Sequence, residues 1–151
     1  MLQLKLSTKG FDLLFASLGR LEGELKDLTP VMALVGRDLR AGMAMNWAAD
    51  MGGNGVAWAA LRPTTVAIRE SRGYPGTHPI LRRSGSLQDS VAVFASSRSV
   101  VVGSPAPVAG MHQTGYHNGS RYVPARPLVG ITAAGLQQAA RTILDHINNS
   151  L

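Results

Sequence analysis

The chain of 151 residues has no cysteine, which excludes a disulfide framework, a thiolate zinc site and a cysteine nucleophile together. Aromatic residues are scarce at 5%, too few for a stacking platform that would hold nucleic-acid bases. Charged residues make up only 16% and hydrophobic ones 45%, a mixture too apolar for a disordered chain. No uninterrupted apolar run approaches the roughly 18 residues that a membrane-spanning helix needs. The segment Met1 to Gly10 alternates polar and apolar and lacks the continuous apolar core of a secretory signal. What remains is enough for one ordinary domain with a real core. The expectation is a soluble, basic, single-domain protein over 1–151, kept in a reducing cytosol.

The formal net charge of +6 is unevenly placed. Residues 1–59 are neutral overall, and so are residues 127–151, which hold Arg141 and Asp145. The whole excess lies in residues 60–126, where Arg62, Arg69, Arg72, Arg82, Arg83, Arg98, Arg121 and Arg126 outnumber Glu70 and Asp89. No lysine follows Lys26. Arginine suits bidentate and stacked contacts to carboxylate or phosphate. The region reads either as a solvated basic surface or as one that meets DNA or an acidic protein. All of these arginines except Arg126 are candidate partner contacts.

Hydrophobic spacing organises the rest. Leu2, Leu4 and Leu6 alternate with polar residues as a short strand does. After a cap at Ser7 or Thr8, the stripe Phe11, Leu14, Leu18, Leu21, Leu25 and Leu28 predicts a first helix. This stripe packs on the protein's own sheet or forms an oligomer seam. Gly19 and Gly23 weaken that helix and suggest close approach of another backbone. Thr29-Pro30 starts a second helix, with Thr29 as cap and Val31, Leu34, Val35, Leu39, Met43 and Trp47 on one side, running to about Met51 before Gly52-Gly53-Asn54-Gly55 ends it. Residues 62–79 predict a long, mobile loop, with β character only from Thr64 to Ile68. Ile80 to Leu87 suits a short helix or turn. Ser90 to Ala95 and Ser99 to Gly103 predict a β-hairpin. Pro105 to Gly115 reads as irregular or briefly helical, and Tyr116 to Tyr122 as a polar loop tip. Val123 to Ile131 suggests one further strand with Pro-forced edges. Thr132 caps a last helix whose apolar face is Leu136, Ala139, Ala140, Ile143, Leu144 and Ile147. Helices, then hairpin and strand, then helix, give an α+β fold: a helical hairpin, a small antiparallel sheet and an amphipathic C-terminal helix.

The supply of catalytic groups is thin. His112 and His117, with Asp89 or Glu70, are a poor match to zinc spacing. Ser84, Ser86 and Ser90 sit near Gly85 without a G-x-S-x-G elbow to expose a serine nucleophile. The Gly52 to Gly55 run lacks the Lys-Ser/Thr of a phosphate loop and the spacing of a dinucleotide fingerprint. Neither an enzyme nor a cofactor is expected.

An ordered set of signatures is more specific. Trp58-Ala-Ala-Leu61 precedes Thr64-Thr65, then Pro79 to Ser90, which contains Gly85, Leu87 and Ser90. A hairpin ending in Val102-Gly103-Ser104 follows, then His112-Gln113-Thr114-Gly115, then Val123-Pro124-Ala125-Arg126-Pro127-Leu128-Val129-Gly130. Over about residues 56–147 this order resembles the virion morphogenesis family of tailed phages, the tail-completion proteins of Mu-like and related phages. The family often carries Tyr-Ala before His-Gln-x-Gly, where this chain has Val108-Ala109. The resemblance implies an α+β structural protein of the head–tail junction, present in multiple copies in the virion after assembly in the host cytoplasm. Its expected partners are itself and neighbouring neck, tail-terminator or tail-tube proteins, with no membrane. The alternative is an Arg-rich module that contacts the DNA end at the neck. In Pro124-Ala-Arg-Pro127 the prolines fix an extended path, so Arg126 is expected to project from a rigid stretch and pair with a carboxylate, either internal or on the next subunit. His112 and Gln113 are expected to orient a loop by hydrogen bonding.

Overall fold

The computed structural model describes residues 19–149 except 21, 24 and 121. The predicted strand at Leu2–Leu6 and most of the first leucine stripe lie outside the described residues. Residues 19, 20, 22, 23, 25 and 26 are helical, as the stripe requires. Among the described residues, nothing lies within 4 Å of where a Cβ on Gly19 or Gly23 would sit. The close backbone approach that these glycines suggest is not made by any described residue.

Helix α1, Thr29–Ala48, is the centre of the fold. Val31, Val35, Leu39, Met43 and Trp47 recur every four residues and form one row on its surface. Val31, Val35, Met43 and Trp47 are buried, and Leu39 packs against the core from its edge. The start of α1 differs from the expected Thr29 cap. Leu28 occupies the cap position, Pro30 sits in the first turn, and the Asp27 carboxylate accepts the free Thr29 N–H at 2.9 Å. Hydrogen bonds from the Thr29 side chain and then its backbone hold the Asp27 carboxyl below the usual carboxylate range.

The stretch expected to be a loop contains helix α2, Pro63–Ser71. Pro63 initiates it from an extended Arg62, and its missing N–H costs nothing at that position. Thr64, Thr65, Val66 and Ile68 are β-branched, but that penalty is only a few tenths of a kcal/mol per residue (roughly). A tertiary anchor at Arg69 outweighs it. Helix α3 is a single turn, Ser86–Asp89, entered through Gly85 at φ +91°. Strands β1, Ala92–Ala95, and β2, Val100–Gly103, form the predicted hairpin, with Ala92 opposite Gly103 and Ala95 opposite Val100. Helix α4, Pro107–Thr114, again begins on a proline. Instead of a plain loop tip, Tyr116–His117 (β3) and Tyr122–Val123 (β4) make a second, minimal antiparallel pair. Helix α5, Ala133–Asn148, is capped as predicted: Thr132 Oγ1 accepts the Gly135 N–H at 3.0 Å.

Helix α1 packs on the β1–β2 hairpin and on α5. Gly36 makes the hairpin contact possible. A Cβ there would overlap Val93 Cγ1 and come within 2.7 Å of Val100 Cγ2. Arg40 Nε donates to the Val91 carbonyl at 2.8 Å and fixes where the hairpin begins. The buried cluster of Met43, Trp47, Trp58, Ile80, Val91 and Leu128 lies at the C-terminal end of α1. The architecture is α+β.

Candidate functional site

Residues 124–130 do not form the expected strand, since only Val123 pairs, opposite Tyr116. The reason is chemical. Pro124 and Pro127 have no N–H to give to a ladder. The segment is instead a strap whose backbone is satisfied by side chains from elsewhere. Trp47 Nε1 donates to Leu128 O at 2.9 Å, and Trp58 Nε1 donates to Pro127 O at 3.0 Å. Gln113 Oε1 accepts from Leu128 N at 3.0 Å and Val129 N at 3.1 Å, while its Nε2 donates to Val129 O at 2.8 Å. One amide therefore reads three backbone groups of the strap. Arg126 N–H donates to His112 O at 2.6 Å.

Arg126 does not project outward. It is buried at 4% exposure, and its partners are carbonyls rather than a carboxylate. Nε donates to Ala59 O and Nη2 to Ala60 O, both at 2.7 Å. The guanidinium fork thus spans two consecutive peptides of the Trp58–Leu61 signature. Burial lowers the Arg126 pKa, and also that of His112, where the nearby Arg126 charge adds to the effect. His112 is accordingly held neutral around neutral pH.

Close backbone approach completes the arrangement. A Cβ on Gly53 would lie 2.6 Å from Gly130 N, and one on Gly52 would lie 2.7 Å from Pro127 O. Gly115, at φ +79°, leaves no room either, because its Cβ would meet Ala125 N at 2.9 Å. The signatures around Trp58, Gln113 and Arg126 therefore converge on one strap. Gly85, Leu87, Ser90, Gly103 and Ser104 belong to an adjoining arrangement. Ser90 Oγ donates to Leu87 O at 2.6 Å and lies 2.6 Å from Ser104 Oγ, joining the base of the hairpin.

The arginines divide into two sets. Arg69 is corrected from surface contact to interior residue: it is 7% exposed, and Nη2 donates to Pro79 O at 3.0 Å. Arg62, Arg72, Arg82, Arg83 and Arg98 are exposed, with Arg98 at the hairpin tip. Arg121 lies outside the described residues. Arg82 and Arg83 share a cavity of about 340 Å³ with Arg69, and Arg83 lies 5.5 Å from the ring centroid of Tyr74. Among the described residues no three His, Cys, Asp or Glu side chains gather as a metal site would require. Nor is any described helix long and apolar enough to cross a membrane.

The sequence model of the phage virion morphogenesis family matches residues 7–148. The chain belongs to that family. No curated protein and no solved structure matches it. As a member of the virion morphogenesis family, a structural and assembly family, it has a role in phage structure and assembly. The match reaches well before Trp58, into the first leucine stripe, where no short motif stands out.

Asp50 is a further structural residue of this family member that no pattern had singled out. At φ +55° its backbone turns out of α1. Its carboxylate accepts the Ile80 N–H at 2.6 Å and bonds His78 Nδ1, tying the end of α1 to the segment after α2. No sequence signal points to it, because the expected helix runs to about Met51 and places Asp50 inside it, whereas α1 ends at Ala48. Trp47 was placed correctly on the α1 face, but its carbonyl partner 81 residues away has no sequence signature.

Proposed function

We propose that this protein is a structural subunit of the phage head–tail junction, completing the tail so that it can be attached to the capsid. The observation that carries the reading is how the signature residues are used. Trp58, Gln113 and Arg126 are all engaged in internal hydrogen bonds that hold one strap, so the signature preserves a shape. A subunit selected for shape, in a virion assembly family, suits a joint between larger ring-like bodies. The exposed arginines Arg62, Arg72, Arg82, Arg83 and Arg98 are the groups available to neighbouring proteins, and a multi-copy arrangement would repeat them around the joint.

The test is immunogold labelling of isolated tails and of mature particles with an antibody to this chain. Label at one end of tails and at the neck of particles is the expected result. Absence from both overturns the reading. Sedimentation of the purified chain, alone and with tail extract, measures whether it acts in several copies.

A further inference from the structure

We propose that the cavity between α2 and the segment 81–87 is a docking site for an acidic, leucine-bearing segment of a different protein of the particle. Its wall is apolar, formed by Leu61, Ile68, Leu81 and Leu87. Arg82 and Arg83 stand exposed at its rim beside the hydroxyls of Ser84 and Ser86. Arg69 lies against the same cavity, buried, and its Nε–H has no hydrogen-bond partner. His112 Nδ1, on the same lining, is also without a partner. A buried donor left unsatisfied is costly, and an acceptor brought to it recovers that cost.

The chemistry of the occupant follows from these groups. No Asp or Glu is among the described residues lining the cavity, so an anionic acceptor on the occupant is what answers Arg69, Arg82 and Arg83. An apolar wall in the same cavity asks for an aliphatic side chain next to that anion. A carboxylate flanked by leucine supplies both, whereas a phosphodiester backbone brings no aliphatic group and prefers an open track of cations. A second copy of this chain carries the same net charge of +6 and is repelled at distance, so an acidic partner of other sequence is the better complement. The inference rests on the reading of the chain as an assembly subunit. Its test uses the isolated full chain, so failure here leaves the labelling of tails unaffected.

The probes are two labelled peptides, acetyl-GLEELG-amide and its glutamine counterpart acetyl-GLQQLG-amide, and a single-stranded oligonucleotide. Binding is read by fluorescence anisotropy and by the Arg69 Nε–H cross-peak in NMR. The acidic peptide is expected to move that cross-peak and to bind more tightly than the glutamine peptide. Arg82→Glu with Arg83→Glu is expected to weaken it by roughly tenfold or more while leaving the far-UV spectrum and melting temperature unchanged. Arg69→Lys, which keeps the charge but not the planar Nε donor, is expected to weaken it with the rim intact. Four results overturn the proposal: equal binding of both peptides, no cross-peak movement, tighter binding of the oligonucleotide, or altered self-association of the chain in the Arg82→Glu, Arg83→Glu variant.

Discussion

At the scale of single residues, Arg126 shows how a charged group becomes a structural one. Its two donors meet carbonyls of adjacent peptides at 2.7 Å, a match for a planar fork that the lysine ammonium lacks. Arg126→Met leaves both carbonyls without that donor and is expected to cost about 3 kcal/mol in urea unfolding, with Arg126→Lys recovering only part. His112 offers a test by pH. Burial, aided by the Arg126 charge, places its folded pKa below the ordinary imidazole value, so the unfolded chain takes up the proton first. Stability from this residue is therefore full above the unfolded value of about 6.5 and falls as the pH drops through it, levelling below the folded value. His112→Asn is expected to flatten the fall in urea midpoint between about pH 7 and about pH 5.

At the scale of elements, two glycines of α1 predict opposite signs. Gly36→Ala pushes a methyl into Val93 and Val100, and the hairpin must shift, at about 1–3 kcal/mol. Gly42→Ala meets nothing within 4 Å among the described residues and is expected to stabilise by roughly 0.5–1 kcal/mol through helix propensity. Urea midpoints of the two variants check both. The elements that were legible in sequence are those whose pattern is local. The α1 row, the hairpin and the Thr132 cap each follow from spacing or from one side chain beside its own helix. The elements that were missed depend on distant partners. Helix α2 reads as loop because prolines and β-branched residues crowd it, and its anchor, Arg69 on the Pro79 carbonyl, appears only once the chain has folded. The strap reads as strand because Val, Leu and Val suit one, yet most of its backbone hydrogen bonds go to side chains. For the candidate site, the signatures pointed to the right residues. Their roles were not legible, because whether an arginine faces inward or outward depends on what lies across from it.

At the scale of the whole molecule, the tertiary structure is closed by a few contacts of long sequence separation. Trp47 reaches Leu128 across 81 positions and Trp58 reaches Pro127 across 69. Both indole N–H groups are therefore expected to exchange with deuterium only through global unfolding, at a common rate that tracks urea stability, as followed by NMR. Separate rates for the two indoles would mean that the strap opens by itself. The order in which a ribosome delivers the chain gives the same strap a second meaning. A polypeptide released N-terminus first cannot cover either tryptophan until residue 128 has emerged. A product truncated before that point displays two indoles and an unfilled core, a ready substrate for chaperones and proteases. Compactness therefore waits on residues 127 and 128, made long after both tryptophans, and the two carbonyls of the strap act as a late checkpoint on whether the core can close.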